Sequence, residues 1–149
     1  MDYIQIDRNN CMEIILREFP AFETQWALHL ESWNPQVDSR AERLCQRPIA
    51  LDIAEFADFA IDTICLGVDP EIERLAAVTQ LMLLQGDAVI SYAFRTMFLE
   101  QIAHRSNRFG FSVELFVTKL QPLGYYHWLE IDSRYGINPS GMSTYRQTS

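Results

Sequence analysis

Positive charge is scarce in this chain. Lys and Arg number 12 against 20 Asp and Glu, a formal net charge of −8. Nucleic acid and anionic membrane surfaces both attract cations, so this balance argues against non-specific binding to either. It suits a basic protein partner, and equally plain solubility. Cysteine is scarce too. Cys11, Cys45 and Cys65 are odd in number and widely spaced, with no C-x-x-C, a pattern that reads as reduced thiols in a cytosolic protein. The start, "MDYIQIDRNNC", lacks the basic and then apolar regions of a secretory signal. There is no long clean hydrophobic run. The greasiest stretch, "LMLLQGDAVISYAFRTMFLEQI" from Leu81 to Ile102, is cut by Gln85, Gly86 and Asp87 and then carries Arg95 and Glu100. A spanning helix needs about 18 or more apolar residues with few charges. Also missing are two-residue alternation, Asn-Gly and Asp-Gly hairpin turns, an internal repeat, and the G-x-S-x-G, H-E-x-x-H, G-x-G-x-x-G and P-loop motifs.

What is present is helix punctuation. At 149 residues the chain is one domain by size and can bury about two-thirds of the surface its unfolded form exposes. The expected fold is all-α: a single compact domain of about six helices, residues 1–136, followed by a polar tail, 137–149. Asn9 or Asn10 can cap a helix to about Phe19, with Met12, Ile15, Leu16 and Phe19 on one face. Pro20 suits the first turn of a second helix, carrying Phe22, Trp26, Leu30 and Trp33. Residues 34–48 form a polar connection. Asp52 opens a third helix that ends near Gly67, and Asp69-Pro70-Glu71 opens a fourth that runs to about Leu84. Asp87 caps a fifth, Ala88 to about His104. Apolar residues fall on almost every face of that fifth helix, which predicts a hub enclosed by the others, anchored by Phe94 and Phe98. Ser112 can cap a short helix to Lys119, and Pro122 opens a last one through Tyr135.

Candidate chemistry is thin. His29, His104 and His127 are dispersed. Glu100 and His104, four apart, would share a helix face and could begin a metal site, but a third and fourth ligand are not evident. No metal or other cofactor is therefore expected, and no catalytic residue is assigned. Cys11 stands near a helix start, where a thiol pKa can fall, against the plainer reading of a small semi-buried side chain. A small-ligand protein or an enzyme of unknown class would use Glu100 and His104, or the Tyr125-Tyr126-His127-Trp128 cluster. A helical adaptor is a further alternative.

The third helix is the most informative. Asp52, Glu55, Asp58 and Asp62 fall within an arc of about 120°, opposite Ile53, Phe56, Ala57, Ala60 and Ile64. No Lys or Arg occurs from Ile49 to Glu73, where seven acids do. A solvated face, a docking surface for a basic protein and carboxylate metal ligation are the three readings of this stripe. Phe59, projecting near the acids, favours docking, because a semi-exposed aromatic among charges is how interface anchors look. The expected partner-binding residues are thus Asp52, Glu55, Asp58, Phe59 and Asp62.

Three stretches, "ALDIAEFADFAIDTI", "LLQGDAVISYAFRTMFLEQI" and "LGYYHWLEIDSRYG", together resemble the successive signatures of a family of small uncharacterised all-helical bacterial proteins. The likeness spans roughly Phe19 to Gly136. Such proteins are encoded beside polymorphic or contact-dependent toxins and are taken to be immunity proteins. Thr79-Gln80 stands where that family usually carries an acid. The resemblance implies a non-enzymatic cytoplasmic protein that binds and neutralises a cognate toxin. It brings no catalytic residues. A toxin with a basic substrate groove would meet the acids of the third helix where phosphates otherwise lie. Neither nucleic acid nor membrane is an expected partner.

Overall fold

The computed structural model describes residues 4–32, 48–120 and 122–135. Among them seven helices form one compact all-α domain with no strand. Trp33, Cys45, nearly all of the 34–48 connection and the tail 137–149 lie outside the described residues.

Helix α1, Cys11–Glu18, turns Cys11, Met12 and Ile15 inward. The expected second helix is divided. Pro20–Phe22 forms one tight 3-10 turn and α2, Glu23–Ser32, follows it. Helix α3, Ile49–Leu66, begins three residues before Asp52, with Pro48 at its N-cap. Asp52 therefore sits in the first turn and does not cap it, a correction with consequences for the acidic stripe. At the other end Gly67 takes φ 71°, and its N–H donates to the carbonyls of Thr63 and Ile64 at 3.3 and 3.1 Å. This left-handed termination is open to glycine at little steric cost.

Helix α4, Asp69–Gln85, carries Pro70 in its first turn, where the missing N–H costs nothing. The Asp87 carboxylate then accepts from the Ile90 N–H at 2.9 Å and starts α5. Helix α5 runs as Ala88–Ala93, a π-helical segment Phe94–Leu99, and Glu100–Phe109. It outlasts the expected end at His104 by five residues and stops at Gly110, φ 80°. Short α6, Glu114–Thr118, follows Ser112, whose hydroxyl accepts from the Glu114 N–H at 3.2 Å. Helix α7 is Pro122–Tyr135.

Helix α5 is the central element, packing on α3, α4 and α7. Ile90, Phe94, Phe98, Leu99 and Ile102 are fully buried. It is not enclosed on every side, however. Val89 and Tyr92 are 52% and 60% exposed, and with Met97, Ile49 and Ala50 they line an open apolar groove of about 530 Å³. The apolar residues on the outer side of α5 face this groove.

One contact ties the N-terminal segment to the α4–α5 turn. The Ile6 N–H donates to Gln85 O and the Asp87 N–H to Ile6 O, both at 2.8 Å. Gly86 lies between these two bonds. A Cβ there would sit 2.3 Å from the Met82 carbonyl oxygen and 2.8 Å from Ile90 Cγ2. The need for glycine is close approach, since backbone and not a flexible side chain is in the way. Gly86→Ala is expected to cost about 2 kcal/mol, as overpacking does, read as a lower urea midpoint at unchanged slope. A loss within experimental error would mean the turn relaxes freely.

Candidate functional site

The outer face of α3 is largely taken by other helices. Asp52 is buried, 3% exposed, and its Oδ1 lies 2.9 Å from Nε2 of His29 on α2. The other ring nitrogen, Nδ1, is 3.4 Å from Glu55 Oε1. Gln25, one turn before His29, donates through Nε2 to both the Glu55 carboxylate and the Glu55 carbonyl. Asp58 pairs with Arg105 of α5. Phe59 is half-buried among aromatic rings, its centroid 5.7 Å from Phe19 and 5.2 Å from Phe22.

The expected partner-binding set is therefore corrected as an exposed stripe. Asp52 and Glu55 dock α2 onto α3, Asp58 ties α3 to α5, and Phe59 packs on the neighbouring segment. Of the five, Asp62 is exposed, and Asp58 keeps 43% of its side chain accessible beside Arg105. The physical reason is that a helical wheel places residues on one helix and is blind to the helices beside it. Gln25 and His29, four apart on α2, were the signal for this docking. They form a polar pair on one face next to Trp26, whose ring centroid is 5.3 Å from the His29 ring.

Negative charge remains exposed at the corner between α3 and α4. Asp62, Asp69 and Glu73 face outward there, around Leu66 and Val68 at 78% and 50% exposure. Lys119 reaches Asp69 at 2.8 Å, and this hydrogen bond holds its ammonium above the ordinary lysine range. Thus two acids, Asp62 and Glu73, flank the apolar tip without an ion pair among the described residues.

A second feature is a polar cavity of about 300 Å³ between the π-helical segment and α7, lined by Tyr92, Arg95, Thr96, Glu100, His127, Glu130, Ile131, Arg134 and Tyr135. The π segment builds its wall. The Glu100 N–H donates to the Arg95 carbonyl, an i→i+5 bond, and both side chains reach the cavity. In α geometry positions five apart point about 140° away from each other. Within the cavity Arg134 lies 3.7 Å from Glu100, and His127 Nδ1 lies 3.0 Å from Glu130.

The Tyr125–Trp128 cluster is split by this arrangement. His127 faces the cavity, Tyr126 is exposed, and Trp128 is fully buried against Phe116. His104 does not line the cavity and instead stacks edge-on against Tyr135 at 4.4 Å. Glu100 and His104 are thus given separate partners. Thr79 and Gln80, at the position where an acid was expected by resemblance, serve packing. The Thr79 hydroxyl donates to Leu75 O at 2.8 Å, and Gln80 Oε1 accepts from the Gly124 N–H at 3.1 Å, docking α7.

Neither described cysteine is activated. Burial, with the nearby Asp52 carboxylate second, pushes the Cys11 thiol up to about 12, opposite to the fall a helix start can produce. Its Sγ lies 3.8 Å from Met82 Sδ. Burial and then Asp62 raise exposed Cys65 as well. Among the described residues no three His, Cys, Asp or Glu side chains are grouped to hold a metal ion, and no helix is long and apolar enough to cross a membrane.

These features define a helical domain with a central π-interrupted helix, an acidic corner and one polar cavity. The chain belongs to the family described as a domain of unknown function, DUF7674, which matches residues 12–134. No curated protein and no solved structure matches it.

Proposed function

We propose that this chain is a non-enzymatic cytoplasmic binding protein, an immunity protein that neutralises a cognate bacterial toxin by covering its basic surface. The contact runs through the α3–α4 corner in place of the full outer face of α3. The observation that carries this reading is Leu66, exposed at 78% between the acids Asp62 and Glu73. An apolar tip within a rim of one charge suits a basic partner. The rim steers encounter, and the tip supplies area that binding dries. The net charge of −8 acts in the same direction at longer range.

The test uses the C-terminal domain of the toxin encoded next to this chain's reading frame. Asp62→Lys with Glu73→Lys is expected to slow association about tenfold and to flatten its salt dependence, since rim charges act mainly on the on-rate. Leu66→Asp is expected to speed dissociation by a similar factor. All three sites are exposed, so melting temperature should stay within a few degrees. Unchanged rates in both variants would exclude the corner. A wild-type chain that leaves the neighbouring toxin domain unbound would sink the immunity reading itself.

A further inference from the structure

The cavity between the π-helical segment of α5 and α7 is lined by two guanidiniums and two carboxylates, and one of the guanidiniums is left without an ion pair among the described residues. Of its two guanidiniums, Arg134 has Glu100 at 3.7 Å. Arg95 forms no ion pair among the described residues. Its Nε is buried without an acceptor, and its guanidinium carbon lies 5.6 Å from the centroid of the Tyr92 ring. A buried donor without an acceptor is costly, and a guanidinium is planar and built to hold a carboxylate through two parallel hydrogen bonds.

The backbone at this point is itself costly. A π segment is rare, and where one occurs it is frequently at a functional site. Here it does something definite, bringing Arg95 and Glu100, five apart, to one wall.

We infer that this cavity is a binding site for a small aromatic monocarboxylate, its carboxylate held by Arg95 and its ring set among Tyr92, Tyr135 and Ile131. Three features select this class. The free partner is one guanidinium, so one negative charge satisfies it. Glu100 and Glu130 also line the cavity and oppose a dianion such as phosphate about twice as strongly as a monoanion. The remaining walls are two tyrosine rings and Ile131, with Thr96 and His127 beside them, so a flat ring is received by the tyrosines while its carboxylate stays on the polar side. The volume of about 300 Å³ is at the small end of ligand pockets. None of Asp62, Leu66, Val68 or Glu73 lines this cavity, so the site stands or falls independently of the partner-binding corner.

Sodium benzoate is the probe, with benzamide as its neutral isostere and inorganic phosphate as the alternative anion. Titration calorimetry and amide chemical shifts on the full chain should show saturable benzoate binding, with shifts concentrated between Tyr92 and Glu100. Benzamide and phosphate should bind at least about tenfold more weakly. Arg95→Met should abolish benzoate binding, and Arg95→Lys, which keeps the charge and loses the two-pronged geometry, should weaken it about tenfold. Arg95→Lys also guards against a folding defect in the methionine variant. Absence of saturable binding up to about 10 mM benzoate, equal binding of benzamide or phosphate, or full affinity in either Arg95 variant would overturn the assignment.

Discussion

Phe56→Ala and Phe98→Ala are each expected to lose about 4 kcal/mol of stability, equivalent to a fall of roughly 12 °C in Tm for a chain of this size. Both rings are fully buried and lie stacked, 5.3 Å apart with planes 15° from parallel. Phe56 also meets Phe19 at 5.6 Å, Phe22 at 5.4 Å and Phe94 at 6.4 Å. It is thus where the segment before α2, helix α3 and the π segment of α5 join. Two terms contribute to the loss. The cavity left by a ring is worth about 3–5 kcal/mol, and the geometry of an aromatic pair adds about 1 kcal/mol. The cavity term dominates, so each single variant should be severe. Because the two sites share that pair, the double variant should lose about 1 kcal/mol less than the sum. Chemical denaturation of the four proteins closes the cycle. A loss below about 1.5 kcal/mol in either single variant would show that α2 and the segment before it are not fastened to α5 through these rings.

Local signals in the sequence carried most of the fold. Pro122 stands in the first turn of α7, Asp87 caps α5, and Gly67 terminates α3, each because one residue type suits one backbone geometry. Errors arose where tertiary contacts outrank such signals. Asp52 has the chemistry of a cap, yet α3 starts at Ile49, because the carboxylate is drawn to His29 of α2. Helix α5 looked apolar all round, yet its Val89–Tyr92 side faces an open groove, and composition cannot distinguish a helical neighbour from an exposed apolar surface.

The candidate site was legible in pieces only. Glu100 was singled out together with His104, and His127 within the Tyr125–Trp128 cluster, and of these only Glu100 and His127 line the cavity. Arg95 was overlooked, since in α geometry it points away from Glu100. The π segment that reunites them carries no sequence mark that periodicity could register. The acidic stripe failed for a different reason. Its spacing was right for one helix face, but Gln25 and His29, distant in sequence, cover its Asp52–Glu55 half, and Arg105 pairs with Asp58. Asp62 escaped because it lies nearest the exposed end of α3.

His29→Ala is the sharpest test of that correction, with an expected loss of about 3 kcal/mol. The imidazole lies between Asp52 at 2.9 Å and Glu55 at 3.4 Å, and Asp52 is 3% exposed. Taking the ring away removes one partner of a carboxylate far from water, so the desolvation penalty of that charge is less fully met. Asp52→Asn should cost less, about 1 kcal/mol, because the amide oxygen still accepts from the ring. Replacing both residues by leucine should recover much of the His29→Ala loss, since a paired polar contact exchanged for apolar packing leaves no stranded charge. The same series separates stability from recognition. If Asp52 fastens α2 to α3, Asp52→Asn leaves the rate of partner association unchanged while lowering the denaturation midpoint. A His29→Ala chain as stable as the wild type, together with slower association in Asp52→Asn, would return Asp52 to the outer surface and restore the whole face of α3 as the docking site.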